Sequence, residues 1–214
     1  MVNLIPTKEA WNQALTKRQG AAHQKKFSSA TVAICGLGGL GSNIAIALAR
    51  AGIGKMILID FDKVDLSNLH RQQYKVSQIG KYKTDALREN LLEISPYVTL
   101  ETHTTRVTEE NAVRLLRSSD IICEALDDAE AKAMLTNLVL ETMPDKFLVA
   151  ASGMAGFGSA NRIQTRSVTK RFYLCGDGES DVEAVGSLVS SRVMLCAAHQ
   201  AHTVLRILAG QFET

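Results

Sequence analysis

The stretch Thr31-Val-Ala-Ile-Cys-Gly36-Leu-Gly38-Gly39-Leu-Gly41 decides the fold. Its first five residues are apolar or β-branched and read as a buried strand, and G-x-G-x-x-G comes directly after. From Gly39 to Ala51 small and aliphatic residues continue in a helical pattern, so the glycines occupy a strand-to-helix turn. In such a turn the first glycine permits the sharp bend, the second lets backbone approach a phosphate, and the third lets helix and strand pack closely. The helix N-terminal N–H groups and the macrodipole then favour an anion. Lys55-Met-Ile-Leu-Ile-Asp60 forms a second strand ending in an acid about 20 residues on, where a carboxylate can accept from ribose hydroxyls. Nucleotide binding is therefore expected at Gly36, Gly38, Gly39 and Gly41, with Asp60 at the ribose.

Outward from this unit the alternation continues. Lys81 to Ile94 has helical periodicity and stops before Pro96; Val98 to His103 alternates like a strand; Thr108 to Arg117 opens with a capping-box-like pattern. Asp120-Ile-Ile-Cys123 and Phe147 to Ala151 read as buried strands around a helix from Asp128 to Thr142. Strands alternating with helices of this length predict a Rossmann-like α/β fold, a mostly parallel sheet with helices on both faces. After Ala151 the pattern changes. Ala160 to Thr165 and Arg171 to Leu174 look like antiparallel strands, Cys175 to Asp181 is a polar loop, and Val185 to Leu208 is a long helix closed by Gly210. Residues 1–29 form a polar, partly helical lead-in in which Lys17-Arg18-Gln19 and Lys25-Lys26 suggest a solvated surface.

The 214 residues suit one domain, here taken as 1–214, with 46% hydrophobic and 21% charged residues arguing against long disorder. A net charge of +2 gives no argument for nucleic acid or an anionic membrane as partner. Met1 to Trp11 has no basic segment followed by an apolar run, so no signal peptide is expected, and apolar runs break well short of bilayer length. The four cysteines lie far apart, with no C-x-x-C pair. A reduced, cytoplasmic protein is the expectation.

The glycine turn suits NAD and ATP equally, and the residues after it separate the two. Asp60-Phe-Asp62, Asp65-Leu-Ser-Asn68-Leu-His-Arg71-Gln72 and Ile79-Gly-Lys81-Tyr-Lys83 place fixed cations and carboxylates after the second strand. A dinucleotide's diphosphate can be held largely by the glycine turn, whereas a triphosphate cleaved at its α-phosphorus needs cations and usually Mg²⁺ held by a carboxylate. Asp127-Asp128 supplies carboxylates at the carboxyl edge of the sheet, where ligands of such folds bind.

Gly36-Leu-Gly-Gly-Leu-Gly-Ser42, Ile59-Asp-Phe-Asp-Lys-Val-Asp-Leu-Ser-Asn-Leu-His-Arg-Gln72 and Gly80-Lys-Tyr-Lys83 resemble the ThiF/MoeB branch of the ubiquitin-activating-enzyme superfamily. The resemblance runs from about Arg18 to Gly210, and Tyr173-Leu-Cys-Gly-Asp-Gly-Glu179 is most similar to the compact ThiF form of thiamine biosynthesis. It implies an adenylyltransferase that activates the C-terminal glycine of a small β-grasp sulfur carrier, ThiS-like or, alternatively, MoaD-like. It further implies that Gly39 and Gly41 lie against the phosphates and that Asp60 holds the ribose. Asp62 belongs to the same nucleotide-binding set. Asn68, Arg71 and Lys83 would contact the triphosphate and transition state, and Asp127 would bind Mg²⁺. Arg18-Gln19 resembles an Arg-Gln that the family inserts from the second subunit of a homodimer, with a shorter spacing to the glycine turn here. The C-terminal portion, 152–210, would bind the carrier, with Gly153 to Gly158 letting its di-glycine tail pass close to backbone.

Members with structural zinc use two C-x-x-C pairs. Here the first position reads Phe172-Tyr-Leu-Cys175, one cysteine cannot make a tetrahedral site, and no zinc is expected. Cys175, in a polar loop, is the candidate for a reactive thiol, and Cys196 reads as core. His70 reads as incidental, and His199 and His202 as packing or partner contacts. Two other classes compete with adenylation. A NAD-dependent oxidoreductase would need neither Arg71 nor Lys83, and no Tyr-x-x-x-Lys or comparable proton-transfer pair stands out in this sequence; a non-catalytic dimeric scaffold would have no use for Asp60, Asn68, Arg71, Lys83 and Asp127.

Overall fold

The computed structural model describes residues 5–214; Met1 to Leu4, part of the stretch read for a leader, lie outside them. Seven strands form one sheet in the order β3-β2-β1-β4-β5-β7-β6, with β1 Thr31–Cys35, β2 Lys55–Ile59, β3 Thr99–His103, β4 Ile121–Glu124, β5 Phe147–Ala151, β6 Gln164–Thr169 and β7 Phe172–Gly176. All neighbours pair in parallel except β6 with β7.

The inner strands alternate between two buried faces, which is why they read as unbroken apolar runs. Val32 and Ile34 of β1 and Met56 and Leu58 of β2 pack toward α3 (Gly39–Ala51), α4 (Lys83–Ile94) and α8 (Ser190–Ala209). Ala33, Cys35, Ile57 and Ile59 pack on the opposite face against α5 (Glu109–Leu116) and α6 (Ala129–Thr142). The lead-in forms α1 (Lys8–Gln19) and α2 (Ala21–Ser29), separated by Gly20 at φ 84°. These lie at the C-terminal end of α3, where the Gln19 side chain donates to Ala51 O at 3.1 Å.

Boundaries move where local hydrogen bonding overrides the apolar pattern. Residues 160–162 form a 3-10 turn, with Ser159 Oγ accepting from Asn161 N, so β6 starts at Gln164 rather than Ala160. The long helix starts at Ser190 rather than Val185 because Gly186, at φ 71°, closes a short helix α7 (Val182–Val185). Helix α4 starts at Lys83 rather than Lys81, because Lys81 and Tyr82 turn back to pair with residues 62–64. No helix among the described residues is long and apolar enough to cross a membrane.

Candidate functional site

From β1 the chain winds to one side through β2 and β3, while β4, β5 and β7 lie on the other, so the sheet's switch point falls between β1 and β4. In open α/β sheets the crevice beyond the strand carboxyl ends at such a point receives ligands. A cavity of about 510 Å³ opens there, lined from the turns after β1, β2, β3, β4, β5 and β7. A second cavity of about 770 Å³, on the outer side of α8, is larger but lies away from every expected nucleotide residue.

The glycine turn is built as its sequence demands. Gly36 has φ 89°, and a Cβ there would meet Ala125 O at 2.5 Å, so the chain leaving β4 presses on the turn. Gly36, Gly38 and Gly39 line the cavity. Gly41 does not: its Cα faces the Gly36 carbonyl, which a Cβ would approach to 1.8 Å. It is the packing glycine that closes α3 onto β1 rather than a phosphate contact, as the third position of the motif requires. The buried Tyr74 hydroxyl donates to Leu37 O at 2.7 Å and holds the turn from outside.

Asp60, 8% exposed, accepts from Leu37 N at 2.6 Å and Asp62 N at 2.7 Å, tying β2's end to the turn. Burial raises its pKa, while the Lys83 charge and the two amides pull it back. It lines the cavity, and each carboxylate oxygen keeps a lone pair for a ribose hydroxyl.

Lys83 is the first residue of α4, where a cation opposes the helix dipole. It is nevertheless buried, with Nζ 2.7 Å from Asp62 Oδ2. Pairing of residues 62–64 with 81–83 fixes this: Val64 N donates to Lys81 O at 2.8 Å and Lys83 N to Asp62 O at 2.9 Å. The Asp62 carboxylate offsets both the burial and the unfavourable dipole. Arg71 lines the cavity opposite the exposed Asp127; burial lowers the guanidinium pKa and the Asp127 charge opposes that.

Two expected residues do not join this group. Asn68 sits in the 3-10 turn Leu66–Asn68, outside the cavity lining. Arg18 is exposed on α1 beside the far end of α3, about 20 Å of helix from the glycine turn of its own chain. Asp128 caps α6, accepting from Ala131 N at 2.8 Å, and lines the cavity together with Asp127. One carboxylate completed by substrate phosphates is a donor set that suits Mg²⁺.

Cys175 is not in a polar loop. It lies in β7, 1% exposed, beside the Thr165 and Thr203 hydroxyls, and burial raises its pKa. All four cysteines are buried. His199 Nδ1 lies 3.0 Å from Thr165 Oγ1, a packing contact. Within the small-residue run, a Cβ on Gly153 would meet Asp177 Oδ1 at 2.1 Å, and one on Gly158 would meet Arg192 Nη1 at 3.0 Å, so these two glycines also make room for the loop after β7 and for α8.

The sequence reading missed several groups. Gln72 lines the cavity at 7% exposure, and its Oε1 has no partner among the described residues, an acceptor that a bound ligand's donor would satisfy. Lys132 reaches Glu124 at 2.8 and 2.9 Å and Leu126 O at 3.2 Å, bringing a further ammonium to the cavity. Glu124 is 1% exposed; burial raises its pKa and Lys132 counteracts this. Arg106 stacks on Phe61 with 4.4 Å to the ring centroid, giving the cavity a flat wall.

Among proteins of known sequence, the chain is 28% identical over 195 residues to the adenylyltransferase and sulfurtransferase UBA4 of Lodderomyces elongisporus, covering 88% of this chain and 42% of that protein. It is 35% identical over 126 residues to the adenylyltransferase and sulfurtransferase MOCS3 of Culex quinquefasciatus, covering 58% of this chain and 29% of that one. The chain thus spans less than half the length of these relatives. Its fold matches the E. coli tRNA N6-threonylcarbamoyladenosine dehydratase TcdA, solved with ATP, at a TM-score of 0.84 with 22% identity, over 97% of this chain and 98% of that one. The ThiF family model matches residues 11–214, and with it the glycine turn, the Asp60–Lys83 segment and the α8 frame. The chain belongs to the ThiF family.

Proposed function

We propose that this chain uses ATP to adenylate the C-terminal glycine carboxylate of a small β-grasp sulfur-carrier protein, with a ThiS-type carrier of thiazole and thiamine biosynthesis as substrate. The observation that carries the reading is the convergence of Arg71, Lys83 and Asp127 on a glycine turn at the switch point, in a cavity that continues between the loops after β5 and β7. Hydride transfer to or from NAD would leave these cations without a task.

In this reading the turn and the α3 N-terminus hold the phosphates and Asp60 holds the ribose. A carboxylate oxygen of the carrier attacks the α-phosphorus. The new acyl–phosphate bond forms as the α–β phosphoanhydride bond breaks, and pyrophosphate leaves. Arg71 and Lys83 neutralise charge as it develops, so positioning and electrostatics do the catalysis. Mg²⁺, held by Asp127 and the phosphates, would add further neutralisation. No protein nucleophile is required, in keeping with four buried thiols. Arg18 would act from the second copy of a homodimer.

The test is intact-mass analysis of a purified ThiS-type carrier, and in parallel a MoaD-type carrier, after incubation with the chain, ATP and Mg²⁺. One adenylyl group on the ThiS-type carrier alone supports the reading. Modification of the MoaD-type carrier alone reassigns the substrate, and unmodified carriers together with tight NADH binding overturn adenylation.

A further inference from the structure

Part of the cavity wall has no expected nucleotide residue on it. It is made by residues 152–155 of the loop after β5 and residues 178–181 of the loop after β7, which hydrogen-bond to each other. These loops contain three positive-φ glycines, Gly153, Gly156 and Gly178, and β7 ends on a fourth, Gly176, each of which lowers the cost of disorder. Asp177 N donates to Gly153 O at 2.9 Å, Gly178 N to Ser152 O at 3.0 Å, and Ala155 N to Ser180 Oγ at 3.0 Å. Beneath them lies a buried ion pair. Arg192, third residue of α8, is 5% exposed, and the Asp177 side chain is 3% exposed.

The Arg192 guanidinium binds all the parts at once. Nη2 donates to Asp177 Oδ2, while Nη1 donates to Gly158 O and, at 2.9 Å, to Ser159 O. The other carboxylate oxygen, Asp177 Oδ1, accepts from Glu179 N at 2.9 Å, Ser180 N at 2.8 Å and Ser180 Oγ at 3.0 Å. A buried ion pair is often no more stabilising than apolar residues of the same volume, because desolvation offsets the attraction. What a forked donor supplies instead is fixed geometry. Here it fixes two glycine-rich loops against the start of α8, whose next residue, Val193, packs beside Gly39.

We propose that Arg192 and Asp177 are positioning residues for the carboxylate substrate: they set the backbone wall against which the carrier's tail lies, without touching tail or nucleotide. This rests on the adenylation reading. The nucleotide half of the site, Gly36 to Gly39, Asp60, Arg71 and Lys83, has no hydrogen bond to either residue.

R192K and D177N in the full chain test it. Lysine keeps the charge but cannot fork to Gly158, Ser159 and Asp177 together. Amide exchange should quicken in residues 153–159 and 177–181 and stay unchanged at the start of α3. The dissociation constant for ATP should stay within about twofold, while KM for a ThiS-type carrier in carrier-dependent pyrophosphate exchange rises at least about tenfold. Where D177N is too unstable to assay, R192K decides. An unchanged carrier KM in folded R192K, or an ATP affinity that weakens in parallel with it, overturns the proposal. A wild-type chain that binds ATP but shows no carrier-dependent exchange overturns the adenylation reading, and the substrate role of the clamp with it.

Discussion

Replacing Asp60 with asparagine separates its two tasks. The carboxylate accepts two backbone donors, Leu37 N at 2.6 Å and Asp62 N at 2.7 Å, in a site 8% exposed. Asparagine has one carbonyl oxygen, so one amide keeps a partner and the other faces an NH₂ group. A hydrogen bond to a charged acceptor is worth about 1.5–3 kcal/mol, and a buried donor left unpaired costs about 1–3 kcal/mol. Relief from burying a carboxylate, visible as its raised pKa, returns part of this. The net expected loss is about 2–3 kcal/mol, or roughly 4–12 °C in Tm for a chain of this size. Losing an ionised acceptor for the ribose should also weaken ATP by about ten- to a hundredfold. Urea unfolding and titration calorimetry with ATP measure the two effects on the same preparation. A D60N protein with wild-type unfolding midpoint and wild-type ATP affinity would refute both the tether and the ribose role.

G41A should destabilise by about 1–3 kcal/mol or more through the clash of its Cβ with Gly36 O, read as a lower urea midpoint; wild-type stability would show that the turn is looser than described. K83M removes the ammonium that pairs with Asp62; on the proposed reading, in which that cation neutralises the phosphates, kcat/KM for adenylation should fall by about 10²–10³, and retention of activity would remove Lys83 from the site. Burial opposes ionisation of Asp177, but the amides of Ser180 and Glu179, the Ser180 hydroxyl and Arg192 outweigh it and hold its pKa at about 2. A depressed acid stabilises the fold above its unfolded pKa of about 3.9 and loses that contribution as pH falls toward the folded value. Acid titration of stability should therefore show about 1–2 kcal/mol disappearing progressively between about pH 5 and pH 1, and D177N should flatten that segment; an unchanged acid limb in D177N would contradict the assignment.

The β1–turn–α3–β2 unit was legible because each signal there is local: an apolar run, a glycine spacing, an acid at the strand end. Lys83 and Arg71 were legible through the motif that contains them. Glu124 and Lys132 were not, because a charged residue ends an apolar run on paper, and only the return of α6 eight residues later makes its burial tolerable. Asp128 read only as a carboxylate at the sheet edge, because nothing local separates a side chain that caps α6 at Ala131 N from its neighbour Asp127. The start of α8 was displaced by Gly186, whose left-handed φ outweighs the helical pattern on both sides of it. The Arg192–Asp177 pair spans 15 residues and three segments, and no periodicity in the sequence announces it.

The most direct measurement is exchange of labelled pyrophosphate into ATP by the chain with Mg²⁺, with and without a purified ThiS-type carrier, beside R71A and D127A. Exchange that requires the carrier, and falls by at least about a hundredfold in both variants, is the expected result. Exchange that proceeds equally without a carrier, or survives in both variants, would contradict adenylation of a carrier tail at this site.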